Sequence, residues 1–222
     1  MIERFGPETA LLLIDVQVGV NDLRHWGGPA GRRNNPAAED MQRALLATFR
    51  DAALPVAFTV HDSREPDSPL RLSLPTGRQI PGLEPAGGDV VVIKHTNSGF
   101  VGTGLEVDLR RSRISRLVIA GFFTNMCVDT TVRMAGNLGF DTYTVGDACA
   151  TINRVGLDGV DHDPEVVHDL SLASQNGEFC TVLSTQDVQR LTSADVAQLD
   201  RVQGNEPASP APSDRTNTRI DV

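Results

Sequence analysis

A thiol, a carboxylate and an ammonium can together carry out acyl transfer: the thiol attacks a carbonyl, the carboxylate takes its proton, and the ammonium steadies the charge. This 222-residue chain offers one such set. Cys127 lies in Gly121-Phe122-Phe123-Thr124-Asn125-Met126-Cys127-Val128. The apolar run Leu117 to Ala120 precedes this stretch, and Val128, Val132, Ala135 and Leu138 follow at helical spacing. The pattern predicts Cys127 in the first turn of a helix, just past the carboxyl end of a strand. That edge is where open α/β sheets bind ligands. A helix N-terminus also favours the thiolate. The competing assignment is a small buried core residue, which free cysteines often are.

Lys94 is the only lysine; every other basic residue is arginine. It ends the apolar run Val90 to Ile93. Asp15 ends the run Ala10 to Ile14, with Gln17 close behind. Asp15, Lys94 and Cys127 therefore each stand at or just beyond the end of a different apolar run. If the runs are parallel strands, all three converge on one edge of the sheet. The carboxylate is then placed to take the thiol proton, and the lysine and helix end to favour the thiolate.

The elements that must position these groups are readable from periodicity. Ala10–Ile14 is continuously apolar, as expected of a parallel strand covered on both faces. Residues 19–35 read as a loop holding the single Trp, Trp26, and either line a site or form a surface excursion. Asn35-Pro36 reads as a helix cap with proline at the first helical position. Further strands are predicted over 55–61, 89–94, 117–121, 142–145 and 179–183. Helices are predicted from 103–104 through Leu109, over 128–138 and 164–177, with short turns over 187–199. Residues 62–88 and 146–151 read as loops, and His61-Asp62 as a hydrogen-bonded strand end rather than a metal site. The alternation predicts an α/β fold, a three-layer α/β/α sandwich around a parallel sheet of about six strands. Residues 1–202 read as one domain, and 203–222 as a disordered low-complexity tail.

Composition narrows the partners. A net charge of −9 argues against nucleic acid and anionic membrane surfaces. No apolar run is long enough to span a bilayer, and the amino-terminal residues lack a signal core, so a cytoplasmic location is expected. Three widely spaced cysteines form neither a disulfide framework nor a metal cluster.

Leu13-Ile14-Asp15-Val16-Gln17, Lys94 through Phe100 and Gly121 through Val128, in this order and spacing, resemble the isochorismatase-like cysteine hydrolases. This superfamily includes nicotinamidases and ureide and maleamate amidohydrolases, and the resemblance covers roughly residues 8–192. It implies Cys127 as nucleophile, Asp15 as proton relay and Lys94 as the partner of Asp15. It also implies a cis peptide at Phe122–Phe123, with the backbone N–H groups of Phe123 and Cys127 as an oxyanion hole. Gln17, Trp26, Asn35, Phe100, Phe122 and Thr124 are the candidate substrate-binding residues, and Cys149 and Cys180 are read as structural. Nicotinamidases carry an Asp-x-His metal cluster that His61-Asp62-Ser63 does not match, so no catalytic metal and no cofactor are expected. The expected activity is hydrolysis of a C–N bond in a small amide, ureide or lactam, by a homodimer or larger homo-oligomer. Alternatives are a non-catalytic interaction module, a thiol redox protein, or a vinyl-ether hydrolase of the isochorismate type.

Overall fold

Continuous apolar runs become the centre of the sheet. In the computed structural model, which describes residues 4–193, strand β1 (Thr9–Ile14) is buried at every position. Around it lie β2 (Val56–His61), β3 (Val90–Lys94), β4 (Arg116–Phe122), β5 (Asp141–Ala150) and β6 (Thr181–Leu183). Every pairing is parallel, in the order β3-β2-β1-β4-β5-β6. The chain steps outward from β1 to β3, then returns to lay β4 on the other side of β1. The gap between β1 and β4 is thus the topological switch point, where such sheets bind ligands beyond their carboxyl ends.

Five helices of seven or more residues cover the sheet: α1 (Ala38–Asp51), α2 (Leu105–Arg111), α3 (Asp129–Asn137), α4 (Pro164–Gln175) and α5 (Thr185–Thr192). Helix α1 packs against β1, β5 and α5, α2 against β3, and α3 against β5 and α4. The result is the expected three-layer α/β arrangement. Ser184 and Asp187 form a reciprocal capping box at the start of α5. Gly139, at φ +79°, takes the left-handed position that ends α3. No helix among the described residues is long and apolar enough to cross a membrane. The expected tail, and residues 1–3 and 194–202 of the expected domain, lie outside the described residues.

Two local expectations are corrected. Strand β5 does not stop at Val145; it runs to Ala150 through a bulge, pairing Ile119 with Thr144 and then Gly121 with Cys149. Gly146 and Asp147 look like loop residues, but side-chain amides satisfy the carbonyls that the bulge leaves unpaired. Asn35 Nδ2 donates to Gly146 O (3.1 Å) and Cys149 O (2.7 Å), and Gln42 Nε2 to Ala148 O (2.9 Å). That role takes Asn35 away from helix capping: it sits at φ +43°, and α1 begins three residues later, at Ala38. Cys127 lies, as expected, in the first helical turn past β4; that turn, Thr124–Val128, is π-helical and continues into α3.

Gly121 is required by close approach. It pairs with Ile14 across the switch point at φ +136°, and a Cβ there would lie 2.2 Å from Ile14 O. Gly121→Ala is expected to lower stability by about 3 kcal/mol or more, from overpacking plus backbone strain. Gly87→Ala, with open space around the added Cβ, is expected to be near neutral. Urea denaturation of the two variants measures the difference.

Candidate active site

The polar ends of three neighbouring strands meet at the switch point. Asp15 follows β1 at φ +51°, in a three-residue turn closed by Gln17 N–H donating to Asp15 O (2.8 Å). Left-handed geometry is uncommon for a residue with a side chain, and Asp tolerates it better than most. Lys94 Nζ lies 2.6 Å from Asp15 Oδ2, with both side chains buried. The Thr59 hydroxyl donates to Asp15 Oδ1 at 2.7 Å. His61, opposite Lys94 in the β2–β3 register, places Nδ1 at 2.8 Å from the ammonium. Thr96 O, at 3.1 Å, takes a further ammonium hydrogen. Two ammonium hydrogens are thus directed at His61 Nδ1 and Thr96 O, while Asp15 Oδ2 meets the charge as an ion pair and has no hydrogen-bond donor of its own among the described residues. Burial and the Lys94 charge hold the His61 imidazole below its usual range, which suits a neutral ring accepting at Nδ1.

Cys127 arrives from the other side of the switch point. Its Sγ, an Asp15 carboxylate oxygen and a His61 ring nitrogen lie within 4.8 Å of one another. The turn is strapped from behind. Thr131 Oγ1 donates to Cys127 O (2.6 Å) and accepts from Gly99 N–H (3.0 Å), so one hydroxyl ties the Cys127 turn to the loop after β3. Thr124 Oγ1 is 2.8 Å from His168 Nδ1 on α4. The Phe122–Phe123 peptide is cis, as the resemblance implied.

The thiol's ionisation differs from the expectation. Burial, and then the Asp15 carboxylate, push the Cys127 thiol far above the ordinary thiol range; Lys94 pulls the other way without winning. The helix end and the lysine therefore do not produce a resting thiolate. The arrangement is a protonated thiol beside an ion-paired carboxylate that can take its proton.

Above these groups lies a cavity of about 120 Å³. Trp26, Phe122, Phe123 and Met126 form its apolar walls, and Ser63, Glu65, Ser68 and Asn97 add polar groups. Trp26 is fixed by Nε1 donating to Gly19 O (2.8 Å) and packs edge-on against Phe123, centroids 5.4 Å apart. The volume is below the roughly 300–1,000 Å³ of drug-sized sites and suits a compact substrate.

Residues 9–187 match the model of the isochorismatase domain. The chain belongs to the isochorismatase family. Members of this family are hydrolases. The chain is 37% identical to the isochorismatase family protein YrdC of Bacillus subtilis over 180 residues, covering 81% of this chain and 93% of that one. A solved isochorismatase-family structure from Chromobacterium violaceum is 40% identical, with a TM-score of 0.79 over 85% of this chain and 96% of that one. Ureidoacrylate amidohydrolase RutB of Acinetobacter baylyi is 27% identical over 66% of this chain and 72% of its own length.

Within this family fold, the structure brings together Asp15, Lys94 and Cys127, with Phe123, Trp26 and Phe122 around the cavity. Four other candidate binding residues lie off it. Gln17 is buried, its amide donating to His61 O (3.0 Å) and Gly77 O (2.7 Å) and accepting from His61 N–H (2.8 Å), so it positions His61. Asn35 braces the β5 bulge, Phe100 stacks on Phe140 (5.9 Å), and Thr124 faces His168. The sequence reading missed Thr59, Asn97 and the site role of His61. One signal for Thr59 was present: it is a hydroxyl inside an otherwise apolar strand, two residues from its polar end.

A thiol held protonated makes a measurable difference. The rate of Cys127 alkylation by iodoacetamide is expected to rise with a midpoint above the ordinary thiol value of about 8.5. Cys149, buried and pushed up to about 12, serves as a slow internal control in peptide mass spectrometry. A midpoint well below 8.5 would show a resting thiolate and remove the need for a base.

Proposed function

We propose that this family hydrolase cleaves a C–N bond of a small amide, ureide or lactam through a covalent acyl-cysteine. The observation that carries the reading is the buried carboxylate of Asp15, ion-paired to Lys94 at 2.6 Å and held within 4.8 Å of the Cys127 sulfur. As Sγ attacks the carbonyl carbon, the thiol proton passes to Asp15. The oxyanion accepts hydrogen bonds from the backbone N–H groups of Phe123 and Cys127. Each such donor is worth on the order of 10²–10³ in rate. Collapse breaks the C–N bond, Asp15 gives its proton to the leaving nitrogen, and the acyl group stays on sulfur. From a ureide the adduct is a thiocarbamate.

Asp15 then takes a proton from water, whose oxygen adds to the acyl carbon, and the second collapse returns the proton to sulfur. Lys94 and Thr59 hold the carboxylate in place through both halves. The ureidoacrylate amidohydrolase relative supports C–N chemistry for this site. Lys94 also favours a metal-free reaction. Asp15, His61 and Cys127 are metal-ligand types within reach of one another, but the ammonium already contacts the carboxylate and the imidazole. A divalent cation added there would face a buried positive charge.

Ammonia or amine release from a panel of small amides tests this. Cys127→Ala is expected to abolish it, and Asp15→Asn to lower it roughly 10²–10⁴-fold, the usual worth of a positioned base. Turnover surviving in Cys127→Ala would overturn the covalent route. Exhaustive chelation is expected to leave the rate unchanged; a loss restored by a divalent ion would overturn the metal-free one.

A further inference from the structure

The cavity that leads to Cys127 is unbalanced in charge. Among the described residues lining it there is no arginine or lysine. Lys94 stands behind it, but its ammonium is committed to Asp15, His61 and Thr96 O. Arg33 reaches the Phe122 ring, 5.4 Å from its centroid, yet does not line the cavity and is paired with both carboxylate oxygens of Glu39. The remaining charged lining residue is Glu65, exposed where the cavity opens to solvent. Glu65 takes part in none of the ion pairs among the described residues. Its backbone is held in a local turn, with its N–H donating to Ser63 Oγ (3.2 Å) and its carbonyl accepting from Ser68 N–H (3.2 Å).

We propose that Glu65 is the counter-ion for a positively charged group on the substrate, and that the site selects cationic amides over anionic ones. A carboxylate without a partner, next to the aromatic walls Trp26, Phe122 and Phe123, is the combination that holds ammonium and guanidinium groups. The scissile carbonyl meets Cys127 at the closed end, and the cationic group lies toward the opening. A substrate carrying a carboxylate would find no cation lining the cavity, since Arg64, exposed beside Glu65 in the chain, is not part of the lining, and would lose its hydration facing Glu65. The selectivity differs from that implied by the name of the ureidoacrylate relative, whose substrate is itself a carboxylate. The inference rests on the proposed hydrolase reading for its scissile bond, but charge selectivity at Cys127 can be read without turnover.

The experiment compares the rates at which cationic aminoethyl, neutral methyl and anionic sulfonatoethyl methanethiosulfonates modify Cys127, each normalised to a free small thiol. All three reagents attack the same sulfur, so changes in its ionisation cancel in their ratios. The cationic reagent is expected to be fastest. The cation-to-anion ratio should fall by about tenfold in Glu65→Gln and further in Glu65→Lys, as expected for one unit charge a few ångströms from the path. In parallel, ammonia release is followed for β-alaninamide, butyramide and succinamate, with kcat/KM expected to fall in that order and the change to lie in KM. Reagent ratios that are flat, or unchanged by Glu65→Gln, would overturn the proposal even if amides are hydrolysed. A Glu65-dependent ratio without turnover of any amide, ureide or lactam offered would support the cation site and overturn the hydrolase reading instead.

Discussion

The pairing of Asp15 with Lys94 is the interaction on which the site depends. Both charges are out of water, so each needs the other, and removing either partner of such a pair typically costs about 3–5 kcal/mol. The surroundings follow from that need. Thr59 donates to the second carboxylate oxygen, while His61 and Thr96 O take two ammonium hydrogens. Gln17 in turn holds the backbone of His61. The left-handed turn at Asp15 lets a carboxylate leave the end of a fully buried strand and still meet an ammonium from two strands away.

The sheet order makes this possible. Asp15, His61 and Lys94 come from β1, β2 and β3, side by side, while Cys127 follows β4 on the other flank of β1. Gly121 brings the β4 backbone hard against Ile14, and the Thr131 hydroxyl joins the Cys127 turn to the loop after β3. The site is thus closed by contacts between segments distant in the chain. The fixed geometry between base and sulfur comes from backbone pairing rather than from flexible side chains.

Much of this was legible in the sequence for a simple reason. Continuous apolar runs ending in Asp15, Lys94 and the Cys127 stretch can become parallel strands in few ways, and parallel strands send their ends to one edge. What was not legible depended on long-range partners. Gly146 and Asp147 carry loop character, and only the amides of Asn35 and Gln42, more than 100 residues away, make a bulged strand of them. The same contacts explain why Asn35 neither caps α1 nor lines the cavity. Gln17 and Thr124 sit inside recognisable motifs, yet their side chains face the protein. The upward push on the Cys127 thiol was not legible because the helix end and the lysine are visible locally, whereas burial and the reach of the Asp15 carboxylate are properties of the folded chain.

That ionisation has a consequence outside the reaction itself. Peroxide and other oxidants attack the thiolate far faster than the thiol. A thiol held protonated and sheltered by Trp26 and Phe123 is a poor entry point to the sulfenic and sulfinic acids. In the proposed reaction, nucleophilicity is created only as the proton moves to Asp15, when a carbonyl already occupies the cavity. The burial that makes Cys127 sluggish in isolation therefore protects the sulfur between encounters with substrate.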